Sequence, residues 1–260
     1  MKILLLASGE FALPTLELLA GKRPELELLL FSQPDQKKGR GCRVAPTPAR
    51  DKAIQLGLKS FTPAINTLET QEQIKNFAPD YLVVIDYGVR LSPRTIALAR
   101  GAAINLHPSL LPAYRGPAPM PWALINGEPI TGVTTQLVGE RIDCGDILLQ
   151  EPTFILDHET MPELSRRLSL MGATLVWRTL VGWSKGELSP SPQNERLASP
   201  APKLKKEDGL IDWRASATTI FNRIRGLNPW PGTYTFHRGG RVKILAATVE
   251  GIGSGPGVET

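Results

Sequence analysis

Lys2-Ile3-Leu4-Leu5-Leu6-Ala7-Ser8-Gly9 opens the chain with an apolar run that stops on a Ser-Gly turn. The run is short and Glu10 follows at once, so it reads as the first buried strand of a sheet and not as a secretory leader. Phe11 to Ala20 then sets Phe11, Leu13, Leu16 and Leu19 at helical spacing, and Leu26 to Phe31 is a second apolar strand. Strand, helix, strand is the start of a βαβ pattern with a parallel sheet. The turn Ser8-Gly9-Glu10-Phe11 lacks G-x-G-x-x-G, so a dinucleotide pocket is not indicated.

The pattern continues outward from this unit. Pro48 to Gly57 reads as a helix ending on glycine, Lys59 to Thr62 as a short strand and Leu68 to Phe77 as a mostly polar helix. Tyr81 to Ile85 is a further buried strand, and Thr95 to Ala99 a brief helix before the strand that ends at His107. Met120 to Ile125 resumes a helix. Thr131 to Val138 and Ile147 to Ile155 form a hairpin-like pair of strands, with Asp143 and Gly145 in the turn between them. Thr160 to Trp183 is the longest helical segment, its stripe built from Leu164, Leu168, Met171 and Leu175 and extended by Trp177, Leu180 and Trp183. The fold class expected is α/β with a mainly parallel sheet over residues 1–187. Residues 188–202 are rich in Ser and Pro and read as a linker. Residues 203–260 offer a helix from Ala215 to Leu227 and strands at Thr233 to Phe236 and Val242 to Val249. Such a thin, β-rich domain either leans on the first one or is incomplete, because an isolated hairpin is marginal.

Composition narrows the function classes. The chain is 42% apolar and 21% charged, as a soluble globular protein is, and no apolar run approaches the ~20 residues that span a bilayer. Cys42 and Cys144 lie far apart without metal-ligand spacing, so a reducing cytoplasm is the expected compartment, and neither a metal nor a membrane is expected. Net charge is +5, gathered unevenly: residues 34–52 and 201–260 are each +4 and the remainder is −3. Two basic clusters suit a polyanionic partner, although solvated surfaces would give the same map. The first cluster lies in a glycine-bearing stretch, Ser32 to Arg43, longer than an ordinary βα connection.

Of the three histidines, only His107 stands where an apolar run breaks into a proline-bounded loop. Asn105 and His107 sit at i and i+2 on a strand, so their side chains share a face. An amide and an imidazole can both donate to a developing oxyanion, and a carboxylate such as Asp143 nearby would assist the imidazole and relay protons. That constellation suits formyl or acyl transfer to an amine, with no nucleophilic side chain required. Five prolines between Pro108 and Pro121 stiffen the loop that follows, as a preorganised site needs. Taken alone, an Asn-x-His pair and an Asp in a turn are equally at home in structural roles. Cys144 reads as a small packed side chain, and His158 and His237 as loop residues.

Asn105-Leu106-His107-Pro108-Ser109-Leu110-Leu111-Pro112, Tyr114-Arg115-Gly116 and Asp143-Cys144-Gly145-Asp146 together resemble the core of the folate-dependent formyltransferases. The resemblance implies a Rossmann-like formyltransferase domain with a catalytic triad of Asn105, His107 and Asp143. It also implies a site for 10-formyltetrahydrofolate, the formyl donor, formed by Ser109, Leu110, Leu111 and Pro112 with Ile85, Tyr87, Gly88 and Gly145. Ser32-Gln33-Pro34-Asp35, Gly39-Arg40-Gly41 and Pro46-Thr47-Pro48 look like the basic loop that methionyl-tRNA formyltransferases carry. On that likeness Lys37, Lys38, Arg40 and Arg43 would meet initiator Met-tRNA.

Ala201-Pro202-Lys203-Leu204, Ile211-Asp212-Trp213 and Asn228-Pro229-Trp230-Pro231-Gly232 are similar to the start of the same family's OB-like second domain, which would continue beyond Thr260. The expectation is a monomeric cytoplasmic enzyme that formylates Met-tRNA. The alternatives are the same chemistry on a sugar-nucleotide amine, and a non-catalytic RNA-binding relative. Asp86 departs from the pattern, standing where the family usually has a small apolar residue.

Overall fold

The computed structural model of the chain describes residues 1–38 and 43–250. The elements run β1 (Lys2–Ala7), α1 (Leu13–Ala20), β2 (Glu27–Phe31), β3 (Gln36–Lys38), β4 (Arg43–Ala45), α2 (Pro48–Gln55), β5 (Ser60–Phe61), α3 (Leu68–Phe77) and β6 (Tyr81–Ile85). They continue as α4 (Pro93–Ile96), β7 (Ala102–His107), α5 (Pro119–Ile125), β8 (Ile130–Leu137), β9 (Ile147–Phe154), α6 (Met161–Ser184), α7 (Ala217–Leu227), β10 (Thr233–His237) and β11 (Gly240–Ile244). Seven strands form one sheet in the order β5-β2-β1-β6-β7-β8-β9. The first five in that order are parallel, and β8 and β9 add to the edge antiparallel.

The opening run is apolar throughout because both faces of β1 are covered. Ile3 and Leu5 point into a core with Leu16 and Leu19 of α1 and with Leu168 and Leu175 of α6. Leu4 and Leu6 point the other way, to Leu29, Phe31 and Ile74 of α3. Alternation of faces with period 2, both buried, is what a central parallel strand requires. Each such side chain taken fully out of water contributes about 2 kcal/mol. The stripe of α6 is also formed, with Leu164, Leu168, Leu175 and Leu180 fully buried and Met171, Trp177 and Trp183 half-buried against the same core.

Several boundaries differ from the sequence reading for local reasons. The helix expected over Thr95 to Ala99 begins at Pro93, because the Ser92 hydroxyl accepts the Thr95 N–H and proline fits the first turn. The basic stretch read as a loop contains a short antiparallel ladder, Gln36↔Ala45 to Lys38↔Arg43, leading to and from residues 39–42. The last strand ends at Ile244 instead of Val249, since Ile244 already faces Thr233, the first residue of β10. That hairpin closes through Arg238 and Gly239, both at positive φ (47° and 79°), which matches the twist of its strands.

The small C-terminal domain leans on the first. Among the described residues it holds a short 3-10 helix at Lys206–Gly209, α7 and the antiparallel pair β10–β11, with Leu210 bridged to Tyr234. Helix α7 packs on α5, burying Leu227 with Ala118 and Leu204. The Arg225 guanidinium donates to the Leu156 carbonyl at 3.0 Å. Among the described residues no helix is long and apolar enough to cross a membrane.

Candidate active site

Strand β7 delivers Asn105 and His107 to the carboxyl end of the parallel strands, beside the end of β6, which is where α/β sheets place ligands. Across the antiparallel pairing, Asn105 faces Gln136 and His107 faces Thr134. His107 is 4% exposed. Its Nε2 lies 2.9 Å from the Tyr114 carbonyl oxygen, and its Nδ1 lies 3.5 Å from Oδ1 of Asp143. Asp143 is delivered by the β8–β9 turn at φ +54°. Its Oδ2 accepts the Gly116 N–H at 2.9 Å and its Oδ1 accepts from the Gln136 amide at 3.2 Å. The carboxylate is thus oriented by two donors and turned toward the imidazole. The Asn105 amide is half-buried and has no hydrogen-bond partner among the described residues. A donor left open beside a buried His–Asp pair is what a developing oxyanion needs.

The loop after His107 is braced from within. Ser109, expected at the donor site, is fully buried and its hydroxyl donates to the Ala113 carbonyl at 2.6 Å. The Thr134 hydroxyl donates to the Ser109 carbonyl at 2.7 Å and accepts the Leu111 N–H at 3.2 Å, while Gln150 donates to the Leu111 carbonyl at 2.8 Å. Leu111 is buried, and Leu110 and Pro112 are half-buried. Ile85 and Tyr87 are buried as well, so only Gly88 among the expected β6-side positions is exposed. At Gly145 an added Cβ would lie 1.8 Å from the Leu137 carbonyl oxygen, so glycine is required there by packing against β8.

A depression of about 240 Å³ opens at the carboxyl ends of β1, β2 and β6, lined by Ser8, Gly9, Gln33, Thr47 and the Asp86–Gly88 turn. Asp86 is exposed at the rim of this depression, and its carboxyl has no hydrogen-bond partner among the described residues. Desolvation by the surrounding walls, and then the charge of Glu10, raise its pKa to about 6. Lys37 and Lys38 lie on β3 and Arg43 on β4, at the far end of the ladder that leaves this depression; Arg40 lies outside the described residues. Among the described residues no group of His, Cys, Asp and Glu side chains is arranged to hold a metal.

Gln136, Tyr114, Gly116 and Gln193 hold the His–Asp pair or its turn, and none was singled out for that from the sequence. A glutamine within an otherwise apolar and β-branched strand, Thr131 to Val138, was the one available signal, since a buried amide must find partners.

Residues 1–180 match the family described as Formyl transferase, and residues 203–258 match Formyl transferase, C-terminal domain. A methionyl-tRNA formyltransferase of Thermodesulfovibrio yellowstonii is 41% identical over 257 residues, covering 98% of this chain and 83% of that protein. The chain belongs to the methionyl-tRNA formyltransferase family. Solved structures extend the likeness of fold beyond the methionyl-tRNA formyltransferases. A sugar N-formyltransferase from a Shewanella species superposes with a TM-score of 0.73 at 18% identity, covering 96% of this chain and 98% of that one. An N-formyltransferase from Helicobacter canadensis, in complex with folinic acid and dTDP-3-aminofucose, gives 0.71 at 18% identity, covering 94% and 86%.

Proposed function

We propose that the chain transfers the formyl group of 10-formyltetrahydrofolate to the α-amino group of methionine on initiator Met-tRNA. The observation that carries this reading is the buried His107–Asp143 pair beside the open Asn105 amide, in a chain 41% identical over nearly its whole length to a methionyl-tRNA formyltransferase. The donor fits the chemistry of the site. The half-buried Asn105 amide has no hydrogen-bond partner among the described residues, and the formyl oxygen of the donor supplies an acceptor for it.

The donor brings an activated formyl carbon, and the nucleophile is the acceptor's own amine, so the chain contributes no covalent nucleophile. Its residues stabilise charge and move protons. Asn105 donates to the formyl oxygen as negative charge develops there. The Nε2–H of His107 meets the Tyr114 carbonyl in this structure, and on this reading it turns from that carbonyl to the formyl oxygen as the second donor when the substrates bind. Asp143, fixed by Gly116 and Gln136, faces the imidazole and accepts the proton that leaves the attacking nitrogen, directly or through water; that proton passes to N10 of the donor as the N10–formyl bond breaks, and tetrahydrofolate leaves. Such donors, fixed before the reaction, contribute about 100-fold or more each in a site shielded from water.

On this reading the basic ladder Lys37–Lys38 and Arg43, with Arg40, meets the phosphates of the acceptor RNA. Initial rates with 10-formyltetrahydrofolate and Met-tRNA, set against an amino-sugar nucleotide as acceptor, test the assignment. Turnover on the sugar nucleotide alone would move the chain to the sugar branch, and RNA binding with no transfer to either acceptor would make it a non-catalytic relative.

A further inference from the structure

Gln193 belongs to the segment between the two domains, yet its amide sits against the turn that carries Asp143. Its Nε2 lies 2.7 Å from the Gly145 carbonyl, 3.0 Å from the Asp143 carbonyl and 3.1 Å from Oε1 of Gln136. Its Oε1 accepts from Arg115, from Nε at 2.9 Å and from Nη2 at 2.8 Å. Gln136 is itself a donor to Asp143 Oδ1 at 3.2 Å.

The same segment grips the loop on the other side of the pair. The Ser199 hydroxyl accepts the Tyr114 N–H at 2.9 Å, and the Ser199 carbonyl accepts the Arg115 N–H at 2.8 Å. Ala201 N–H donates to the Arg115 carbonyl at 2.6 Å. Tyr114 accepts from His107 and Gly116 donates to Asp143, so residues 191–201 touch the supports of both members of the pair. The chemistry at position 193 is specific. Carbonyl oxygens surround one end of the side chain and a guanidinium covers the other, and only an amide has a donor end and an acceptor end to match.

We propose that Gln193 is a positioning residue for formyl transfer: its amide locks the Asp143 turn to the Arg115 loop, so that the interdomain segment sets the aim of Asp143 at His107. This rests on the reading of His107 and Asp143 as the catalytic pair. Oδ1 of Asp143 already stands 3.5 Å from Nδ1, so any loosening of its turn is felt directly at the imidazole.

The test uses the full chain with 10-formyltetrahydrofolate and Met-tRNA. Gln193→Met keeps the length of the side chain without its hydrogen bonds. Gln193→Glu keeps an acceptor for Arg115 but turns an oxygen toward the carbonyls of Asp143 and Gly145. Both variants lower kcat by roughly 10- to 100-fold, the scale of a 1 Å misplacement, with KM for either substrate within about threefold. In an Asp143→Asn background, read by single turnover, Gln193→Met costs less than about twofold more, because the group it aims is gone.

A Gln193→Met kcat equal to the parent's, full activity in Gln193→Glu, or the same loss in both backgrounds overturns the proposal. So does unfolding of both variants at the assay temperature, which would assign Gln193 to stability. An Asp143→Asn chain that turns over at the parent rate instead defeats the catalytic pair itself, and the two failures are told apart by that single control.

Discussion

His107 Nε2 lies 2.9 Å from the Tyr114 carbonyl oxygen while Nδ1 of the same ring faces Asp143 Oδ1 at 3.5 Å. A carbonyl only accepts, so Nε2 carries the hydrogen that meets it, and Nδ1 is the ring nitrogen turned to the carboxylate. Removing the ring removes both functions. His107→Ala is expected to lower kcat by at least about 100-fold with little change in either KM, read from initial rates. A rate near that of the parent chain would exclude His107 from the chemistry.

Gly116 holds Asp143 through its N–H and has φ +122°, and a Cβ there would lie 2.7 Å from the Ala201 carbonyl oxygen. Gly116→Ala therefore combines backbone strain with a clash against the interdomain segment. A loss of about 1–3 kcal/mol in stability is expected, with a fall in kcat larger than the residual unfolding explains. Denaturant titration and kinetics on one preparation separate the two effects.

The Asp86 carboxyl has its pKa raised to about 6 by desolvation and by Glu10. In the unfolded chain it ionises near the ordinary carboxylate value, so between about pH 4 and 6 the folded chain holds more protons than the unfolded one, and stability falls as pH rises through that window. Asp86→Asn removes the dependence. Its gain in melting temperature is expected to grow from about pH 4 to 6 and to level off above, and a gain of the same size at every pH would contradict the assignment.

The basic ladder should act on RNA alone. Replacing Lys37, Lys38 and Arg40 by Ala is expected to raise KM for Met-tRNA and to reduce the slope of log KM against log salt by roughly one for each phosphate no longer neutralised. KM for the formyl donor should not move. An unchanged salt slope would remove these residues from the RNA interface.

The parallel sheet was legible because β1, β2, β6 and β7 are apolar on both faces and separated by helices with 3.6-residue periodicity. Asn105 and His107 could be placed together from strand geometry alone, since i and i+2 share a face. What the sequence concealed was the approach of segments far apart along the chain. Nothing in a Ser- and Pro-rich stretch announces that Gln193 lies 2.7 Å from the Gly145 carbonyl, or that Ser199 caps Tyr114. Ser109 shows the opposite limit. A polar residue in a proline-bounded loop looks available to a ligand, but its hydroxyl is spent on Ala113 and serves the shape of the loop. The short helix lies at Pro93–Ile96, ahead of the apolar pattern that suggests Thr95 to Ala99, because Ser92 caps it.

The measurement closest to the central claim is a single-turnover assay of the full chain with 10-formyltetrahydrofolate labelled in its formyl group, offered Met-tRNA and an amino-sugar nucleotide in parallel. Label on the methionyl α-amine, abolished by His107→Ala and absent from the sugar, is the predicted result. Label on the sugar alone, or none on Met-tRNA while the chain still binds it, would contradict the account.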